Sequence, residues 1–207
     1  MKYRFYSLWL CAIIIVVFLF QLFVKGFTDL LILDETSFIQ PWRFFTAIFL
    51  HGDAGHLLYN LFALALFGSI LEKLVDGRKF LLIFFFTGII ANLISINFYS
   101  SSLGASGAIF GVIGALIVIR PSLPIWAFGI PMPIFLAGIL WGAGDLLGAV
   151  AYFAGNPINN TGNIAHLSGM LFGLLMGLFF RQKEVKENRI TYRFNENQIR
   201  RWEDDNL

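Results

Sequence analysis

GASGAIFGVIGALIVIR, residues 104–120, is an apolar run with a serine near its start and a single charge, Arg120, at its end. A second run, AHLSGMLFGLLMGLFF at residues 165–180, has no charge and begins beside a histidine at position 166. Glycine recurs along both runs, at Gly107, Gly111 and Gly114 in the first and at Gly169, Gly173 and Gly177 in the second. Small residues at this spacing allow two membrane helices to touch. We therefore expect the two runs to form neighbouring transmembrane helices.

Four more apolar segments complete a set of six. They cover residues 5–24, 57–71, 80–98 and 132–153, in addition to 105–119 and 164–180. Of the 207 residues, 57% are hydrophobic and 14% are charged, and a transmembrane helix needs about 20 mostly apolar residues. Segment 5–24 is followed by Lys25 without a small-residue cleavage site, so we expect it to be retained. The expected fold is an all-α membrane protein, a six-transmembrane-helix bundle over residues 1–181, followed by a cytoplasmic tail of residues 182–207.

Basic residues predict the orientation, because they gather in the cytoplasmic loops of membrane proteins. One side of the six spans holds Lys2, Arg4, Lys73, Arg78, Lys79, Arg120, Arg181, Lys183, Lys186 and Arg189, and the other side holds Lys25 and Arg43. Both termini are thus expected in the cytoplasm, in a multi-pass protein of the cell membrane. The formal net charge of +2 and the dispersal of the basic residues argue against a nucleic-acid partner. Cys11 is the only cysteine, which excludes a disulfide framework and a cysteine metal site.

Four polar residues collect at three helix starts on the expected outer side. His56 and Asn60 begin the second span, Ser106 begins the fourth and His166 begins the sixth. At about 1.5 Å per residue, Ser106 and His166 lie roughly 21 and 22 Å from the arginines that end their spans, which is several Å inside a hydrocarbon core about 30 Å thick. A serine and a histidine at matching depth can act as nucleophile and base. His56, Asn60 and the first N–H groups of the fourth span can stabilise an oxyanion.

The ordered motifs around these residues resemble the rhomboid family of intramembrane serine proteases. The motifs are Gly104-Ala-Ser106-Gly107, His56-Leu-Leu-Tyr-Asn60, Ala165-His166-Leu-Ser-Gly169 followed by Gly173, the pair Trp42-Arg43, and His51 five residues before His56. The likeness covers about residues 5–180. It implies cleavage of peptide bonds in or near transmembrane segments of other membrane proteins. The implied partners are these substrates and the lipid bilayer, and no cofactor is implied.

The resemblance also implies roles for individual residues. Ser106 attacks the scissile carbonyl, and His166 accepts its proton, as a dyad without an acidic third member. His56, Asn60 and the Ser106 N–H hold the oxyanion, and Gly104 shapes the adjacent loop. Structural roles near the site are implied for Trp42, Arg43, His51, Gly107, Phe110, Gly169 and Gly173.

Two surrounding features follow from the same resemblance. Residues 154–163 correspond to a mobile cap over the site, and movement of this cap or of the fifth span admits substrate from the lipid. Many relatives carry a tyrosine where this chain has Phe110. We expect the phenylalanine ring still to pack on the catalytic histidine, without the hydroxyl.

Other interpretations stay open at this point. Ser106 could cap a helix and His166 could be a polar residue satisfied at an interface, and an inactive rhomboid-like protein could still bind client helices. His51, His56 and His166 could form a metal site, although the five-residue spacing of the first two is unlike a helical zinc motif. Asp145, inside the fifth span, could line an ion path in a small transporter, although a hydrogen bond to a neighbouring loop is the simpler interpretation. The tail fits either a short amphipathic helix on the inner surface or a loose segment.

Overall fold

The computed structural model of the protein describes residues 4–157, 162–187 and Asp204, and of residues 182–187 it describes only the backbone. It is mostly helical, with α-helices in the order α1 (Tyr6–Phe23), α2 (Phe27–Leu31), α3 (Arg43–Thr46), α4 (Ala54–Ala63), α5 (Ser69–Val75), α6 (Gly77–Ser95), α7 (Ser106–Ile119), α8 (Ile134–Phe153) and α9 (Asn163–Glu187). A π-helical turn, Leu64–Gly68, joins α4 to α5, and short 3₁₀ helices cover Glu35–Phe38 and Ala47–Phe49. Most of the predicted tail lies outside the described residues. Its boundary at residue 182 stays a prediction.

Five helices in the described part of the chain are long and apolar enough to cross a membrane. They are Tyr6–Phe23, Ala54–Val75, Gly77–Ser95, Ile134–Phe153 and Asn163–Arg181. Helix α7 is apolar but has 14 residues, about 21 Å at 1.5 Å per residue, which is less than a hydrocarbon core of about 30 Å. The chain is therefore a mostly helical, multi-pass membrane protein with five candidate spans. The prediction of six full spans is confirmed for these five.

Helix α7 lies at the centre of the molecule and is buried along most of its length. On its α9 side, a Cβ atom on Gly169 would overlap the carbonyl oxygen of Gly107, and one on Gly173 would overlap that of Gly111. On its α6 side, a Cβ atom on Gly111 would overlap the side chain of Thr87. The backbones of α7 and α9 therefore touch. This contact confirms the close approach predicted from the glycine spacing.

Two short pairs of β-strands depart from the expected all-α fold. Strand β1 (Leu33–Asp34) pairs antiparallel with β2 (Ser101–Ser102), and β3 (Pro124–Ala127) pairs antiparallel with β4 (Ile130–Pro133). The second pair is a hairpin whose two turn residues, Phe128 and Gly129, have φ angles of 54° and 80°. Positive φ at both positions matches the twist of the flanking strands, as in tight two-residue hairpins. The segment after Arg120 thus forms its own small element.

The carboxylate of Glu72, which is buried, ties α5 to the start of α1. It accepts the backbone N–H groups of Tyr6 and Ser7, each at 3.0 Å, and the Ser7 hydroxyl at 3.1 Å. A helix leaves its first N–H groups without intrahelical partners, and its dipole favours negative charge there. Glu72 therefore fastens the first candidate span to the end of the second.

The loop between α1 and α4 is ordered around Arg43, whose side chain is buried. The Arg43 guanidinium donates to Gln40 Oε1 at 2.7 Å and to the Asp34 carboxylate at 3.1 Å. Asn92 on α6 donates to the carbonyl oxygen of Phe44 at 2.8 Å. The loop is thus fixed internally and against α6.

Candidate active site

Ser106 is the first residue of α7, and the loop that precedes it is fixed by Gly104. Gly104 has φ of 123°, a conformation that few side chains tolerate. Its N–H donates to the carbonyl oxygen of Ala47 at 2.9 Å, which ties this loop to the segment before α4. The first N–H groups of α7 lack intrahelical partners, as at any helix start. Because Ser106 begins the helix, its hydroxyl lies beside these backbone donors. The hydroxyl has no hydrogen-bond partner among the described residues.

His56 borders the same space as Ser106. A Cβ atom on Gly104 would lie 2.8 Å from His56 Cε1, 2.9 Å from His56 Nε2 and 3.9 Å from the Ser106 hydroxyl oxygen. Any side chain at Gly104 would consequently displace the His56 imidazole. His56 is fixed at the N-terminus of α4, where Asp53 accepts its backbone N–H at 2.8 Å. The fold thus brings His56, Gly104 and Ser106 together.

Asn60 lies one helical turn beyond His56 on the same face of α4. Its side chain is buried, and its Nδ2 donates to the carbonyl oxygen of His56 at 3.1 Å. The amide nitrogen carries two N–H groups. In the part of the chain that the structure describes, only one of them has a protein acceptor.

His166 lies in the first turn of α9, buried, with its ring stacked on Phe110. The ring centroids are 4.3 Å apart, and the planes differ by 6°. Phe110 follows Ser106 by four residues, about one turn of α7, so the stack places the imidazole on the Ser106 face of that helix. The expected ring packing on Phe110, without a tyrosine hydroxyl, is confirmed.

The carboxylate of Asp145 contacts the edge of the His166 ring, at Nδ1. Asp145 Oδ1 lies 3.0 Å from His166 Nδ1, and each residue is 8% exposed. The contact bridges α8 and α9, so the interpretation that gave Asp145 a loop partner is wrong. A lone acid in an otherwise uncharged span was visible in the sequence. Its direction was not, because an apolar helix with weak amphipathicity does not reveal its rotation.

This contact determines which imidazole nitrogen is basic. An ionised carboxylate only accepts hydrogen bonds, so the Nδ1 of a neutral His166 carries the proton. The lone pair is then on Nε2. A histidine held in this tautomer beside a serine hydroxyl can remove its proton and activate it as a nucleophile.

His51 is nearly fully buried next to His56 and is clamped by a residue that the sequence analysis missed. Gln21 accepts the backbone N–H of His51 at 2.9 Å and donates to its carbonyl oxygen at 3.1 Å. The rings of His51 and His56 meet edge-on, 5.0 Å apart. Burial, followed by the proximity of His56, lowers the pKa of His51 to about 4, so His51 is neutral near pH 7.

The remaining predicted residues lie in the first loop, on α7 and on α9. Arg43 orders the loop, and Trp42 is exposed on it. Gly107, Gly169 and Gly173 form the α7–α9 contact described above. Among the side chains that the structure describes, no three histidine, cysteine, aspartate or glutamate residues gather into a group that could hold a metal ion.

The fold and this site define a multi-pass helical membrane protein with a half-buried serine and a buried histidine on adjoining helices. Residues 39–183 match the Rhomboid domain family, so the chain belongs to the rhomboid family.

Similar proteins include plant and bacterial rhomboids. The chain is 30% identical over 152 residues to Rhomboid-like protein 11, chloroplastic, of Arabidopsis thaliana, a match that covers 68% of this chain and 52% of that protein. It is 27% identical over 153 residues to the Rhomboid protease GlpG of Haemophilus influenzae, covering 73% and 74% of the two chains. It is 42% identical over 83 residues to the Rhomboid protease GluP of Bacillus subtilis, covering 39% and 16%. The chain thus spans about half or less of the length of the first and the last of these.

Proposed function

We propose that the chain is an intramembrane serine protease that hydrolyses peptide bonds in or near the transmembrane segments of other membrane proteins. The observation that carries the proposal is the position of the His166 ring, which stacks on Phe110 one turn from Ser106 and is held at Nδ1 by Asp145. This arrangement leaves Nε2 as a base for the serine hydroxyl. Relatives named rhomboid proteases support the same activity.

In the proposed reaction, Ser106 Oγ attacks the scissile carbonyl carbon while His166 Nε2 takes its proton. The tetrahedral intermediate collapses to an acyl-enzyme on Ser106, and the imidazolium gives its proton to the departing amine. Water, deprotonated in turn by His166, then hydrolyses the ester and restores the serine. The chemistry needs no cofactor.

The negative charge of the intermediate is assigned to three donors around Ser106. They are the Ser106 N–H at the start of α7, the His56 imidazole and the Asn60 amide. The second N–H of the Asn60 amide has no acceptor among the described residues, so it can donate to a ligand. Donors fixed before the reaction stabilise a developing oxyanion more than mobile water does. Gly104 keeps this space open, since a side chain there would meet His56.

The proposed topology has six spans, with the short helix α7 as the fourth. The N-terminus and the C-terminus are cytoplasmic, and the site faces the outer leaflet. In this proposal the protease domain covers residues 1–181, and the cytoplasmic tail covers residues 182–207. Because α7 is short and begins at Ser106, the nucleophile lies below the membrane surface.

A cap over the site at residues 154–163 is part of the same proposal, although residues 158–161 lie outside the described part. The segments on either side of it are held by tyrosines. The Tyr152 hydroxyl donates to the carbonyl oxygen of Phe98, and the Tyr99 hydroxyl accepts the N–H of Ile164.

Cleavage of a labelled single-span substrate by the purified full chain in liposomes tests the proposal. Ser106→Ala and His166→Ala are each expected to abolish cleavage, and a fluorophosphonate should label wild type but not Ser106→Ala. Ser168→Ala is the matched control, because it removes a different serine hydroxyl, which is buried on α9 and donates to the Ala165 carbonyl oxygen. This variant should retain most of the activity.

Three outcomes would count against the proposal. Cleavage that survives Ser106→Ala would show that Ser106 is not the nucleophile. Wild type that binds single-span segments without cutting them would be an inactive, client-binding rhomboid. Ion or solute flux that persists in Ser106→Ala would instead support a transporter.

A further inference from the structure

We propose that Asp145 is a positioning residue for the base, so that this rhomboid works through an Asp145–His166–Ser106 relay and not through a serine–histidine dyad alone. The inference rests on the proposed function and deepens it. The structural observation is the contact of Asp145 Oδ1 with His166 Nδ1 at 3.0 Å.

Burial makes this contact informative. A carboxylate within a membrane span is costly to place, and those that occur there face the interior and are paired. Asp145 and His166 are each 8% exposed, and His166 is the one hydrogen-bonding partner of Asp145 among the described residues. Among the described residues, the Asp145 carboxylate therefore forms its hydrogen bond with the His166 imidazole.

Two contacts constrain the His166 ring, and they do different work. Stacking on Phe110 fixes the plane of the ring, with 6° between the two planes. A stack does not distinguish a ring from the same ring turned by 180° about its Cβ–Cγ bond, which exchanges the positions of Nδ1 and Cδ2 and those of Cε1 and Nε2. The carboxylate removes this ambiguity, because only Nδ1 can donate to it while Nε2 keeps its lone pair.

The carboxylate also acts during the reaction. When His166 takes the proton of Ser106, it becomes an imidazolium, and an adjacent negative charge stabilises this form without itself taking the proton. Phe110, the side chain of α7 that stacks on the ring, has no hydrogen-bonding group to offer it. Asp145, reaching from α8, supplies the polar contact to the histidine ring instead.

The experiment measures kcat and KM separately for purified full-length variants with a labelled single-span substrate. Asp145→Asn keeps the shape and removes the charge, so kcat should fall about 100-fold or more while KM changes little. Asp145→Glu restores the carboxylate and should recover at least part of that loss. Gly144→Ala is the matched control on the same helix, because it changes the residue next to Asp145 and its added Cβ would meet no atom within 4 Å. Its kcat should stay near that of wild type.

A second measurement does not depend on activity or on a folded variant. Nitrogen NMR of histidine in the wild-type protein should show His166 protonated at Nδ1 and not at Nε2. Protonation at Nε2 would overturn the inference.

The outcomes separate the inference from the function beneath it. If wild type cleaves through Ser106 but Asp145→Asn keeps a near-normal kcat, the relay is wrong and the protease stands. If Gly144→Ala loses as much kcat as Asp145→Asn, kcat responds to any substitution at this point of α8 and the relay is again wrong. If wild type does not cleave, the proposed function fails and the relay falls with it.

Discussion

Alanine at Gly173 is expected to force α7 and α9 apart. The added Cβ would overlap the Gly111 carbonyl oxygen and would lie 2.7 Å from both the carbonyl carbon and the Cα of Gly111. All three are backbone atoms, so no side-chain rotation relieves the overlap. Carbon atoms pack at about 3.5–4.0 Å, so the helices must separate by roughly 1 Å.

The magnitude follows from this displacement. Overpacking costs about 1–3 kcal/mol of unfolding free energy, which corresponds to a thermal midpoint lower by about 2–12 °C for a chain of this size. Ser106 and His166 lie on the two helices that separate, and a misplacement of about 1 Å costs roughly 100-fold in rate. Cleavage should therefore fall even at temperatures where the protein stays folded.

Thermal unfolding in detergent and substrate cleavage in liposomes measure the two effects, with two glycines of α8 as graded controls. Gly144 has no neighbouring atom within 4 Å of an added Cβ, so Gly144→Ala should be neutral or stabilising. Gly138→Ala meets the movable side chain of Ile117 and should be intermediate. If Gly173→Ala has the same melting temperature as Gly144→Ala and cleaves substrate at the wild-type rate, α7 and α9 do not touch at this point.

Three further perturbations test other parts of the structure. Gly104→Ala should abolish cleavage and also lower the melting temperature, because its φ of 123° and the nearby His56 ring tolerate no Cβ; a normal kcat would contradict this role. Glu72→Gln should lower the unfolding free energy by about 1–3 kcal/mol, since it weakens the acceptance of the Tyr6 and Ser7 N–H groups, and an unchanged melting temperature would remove Glu72 from the α1 anchor. The pKa of His51 is about 4 in the folded protein and about 6.5 when unfolded, so the unfolded chain binds the proton first and stability should fall as pH drops from about 6.5 to about 4. His51→Gln should flatten that part of the stability profile, and an equal slope in the variant would refute the assignment.

Much of the helical framework could be predicted because each element carries its own signal. The glycines at every fourth position of residues 169–177 record the α7–α9 contact directly, since only close backbones require them. The hairpin at Pro124–Ala127 and Ile130–Pro133 left no such mark. Its strands contain prolines, which sequence patterns read as interruptions, and its turn places Phe128 at positive φ, a residue that does not favour this conformation.

The candidate site divides in the same way. Ser106, His56 and His166 lie at helix starts, and their position along the chain was enough to predict a common depth for them. Asp145 lies in the middle of α8, where its partner depends on how the helix is rotated. The neighbouring positions of that span are apolar or small, so no contrast between an apolar and a polar face specifies how α8 is rotated. Only the packed structure reveals that the carboxylate faces His166.

The division of the site among helices has a mechanical consequence. Ser106 and His166 lie on α7 and α9, whose backbones are interlocked through Gly107, Gly169 and Gly173. Asp145 lies on α8, where Gly144 has open space around it and which buries less of its surface than α9. A shift of α8 would thus withdraw the carboxylate while leaving the serine and histidine in register. Because the imidazole loses its fixed tautomer when Asp145 departs, the position of α8 would set the activity of the base without altering the nucleophile.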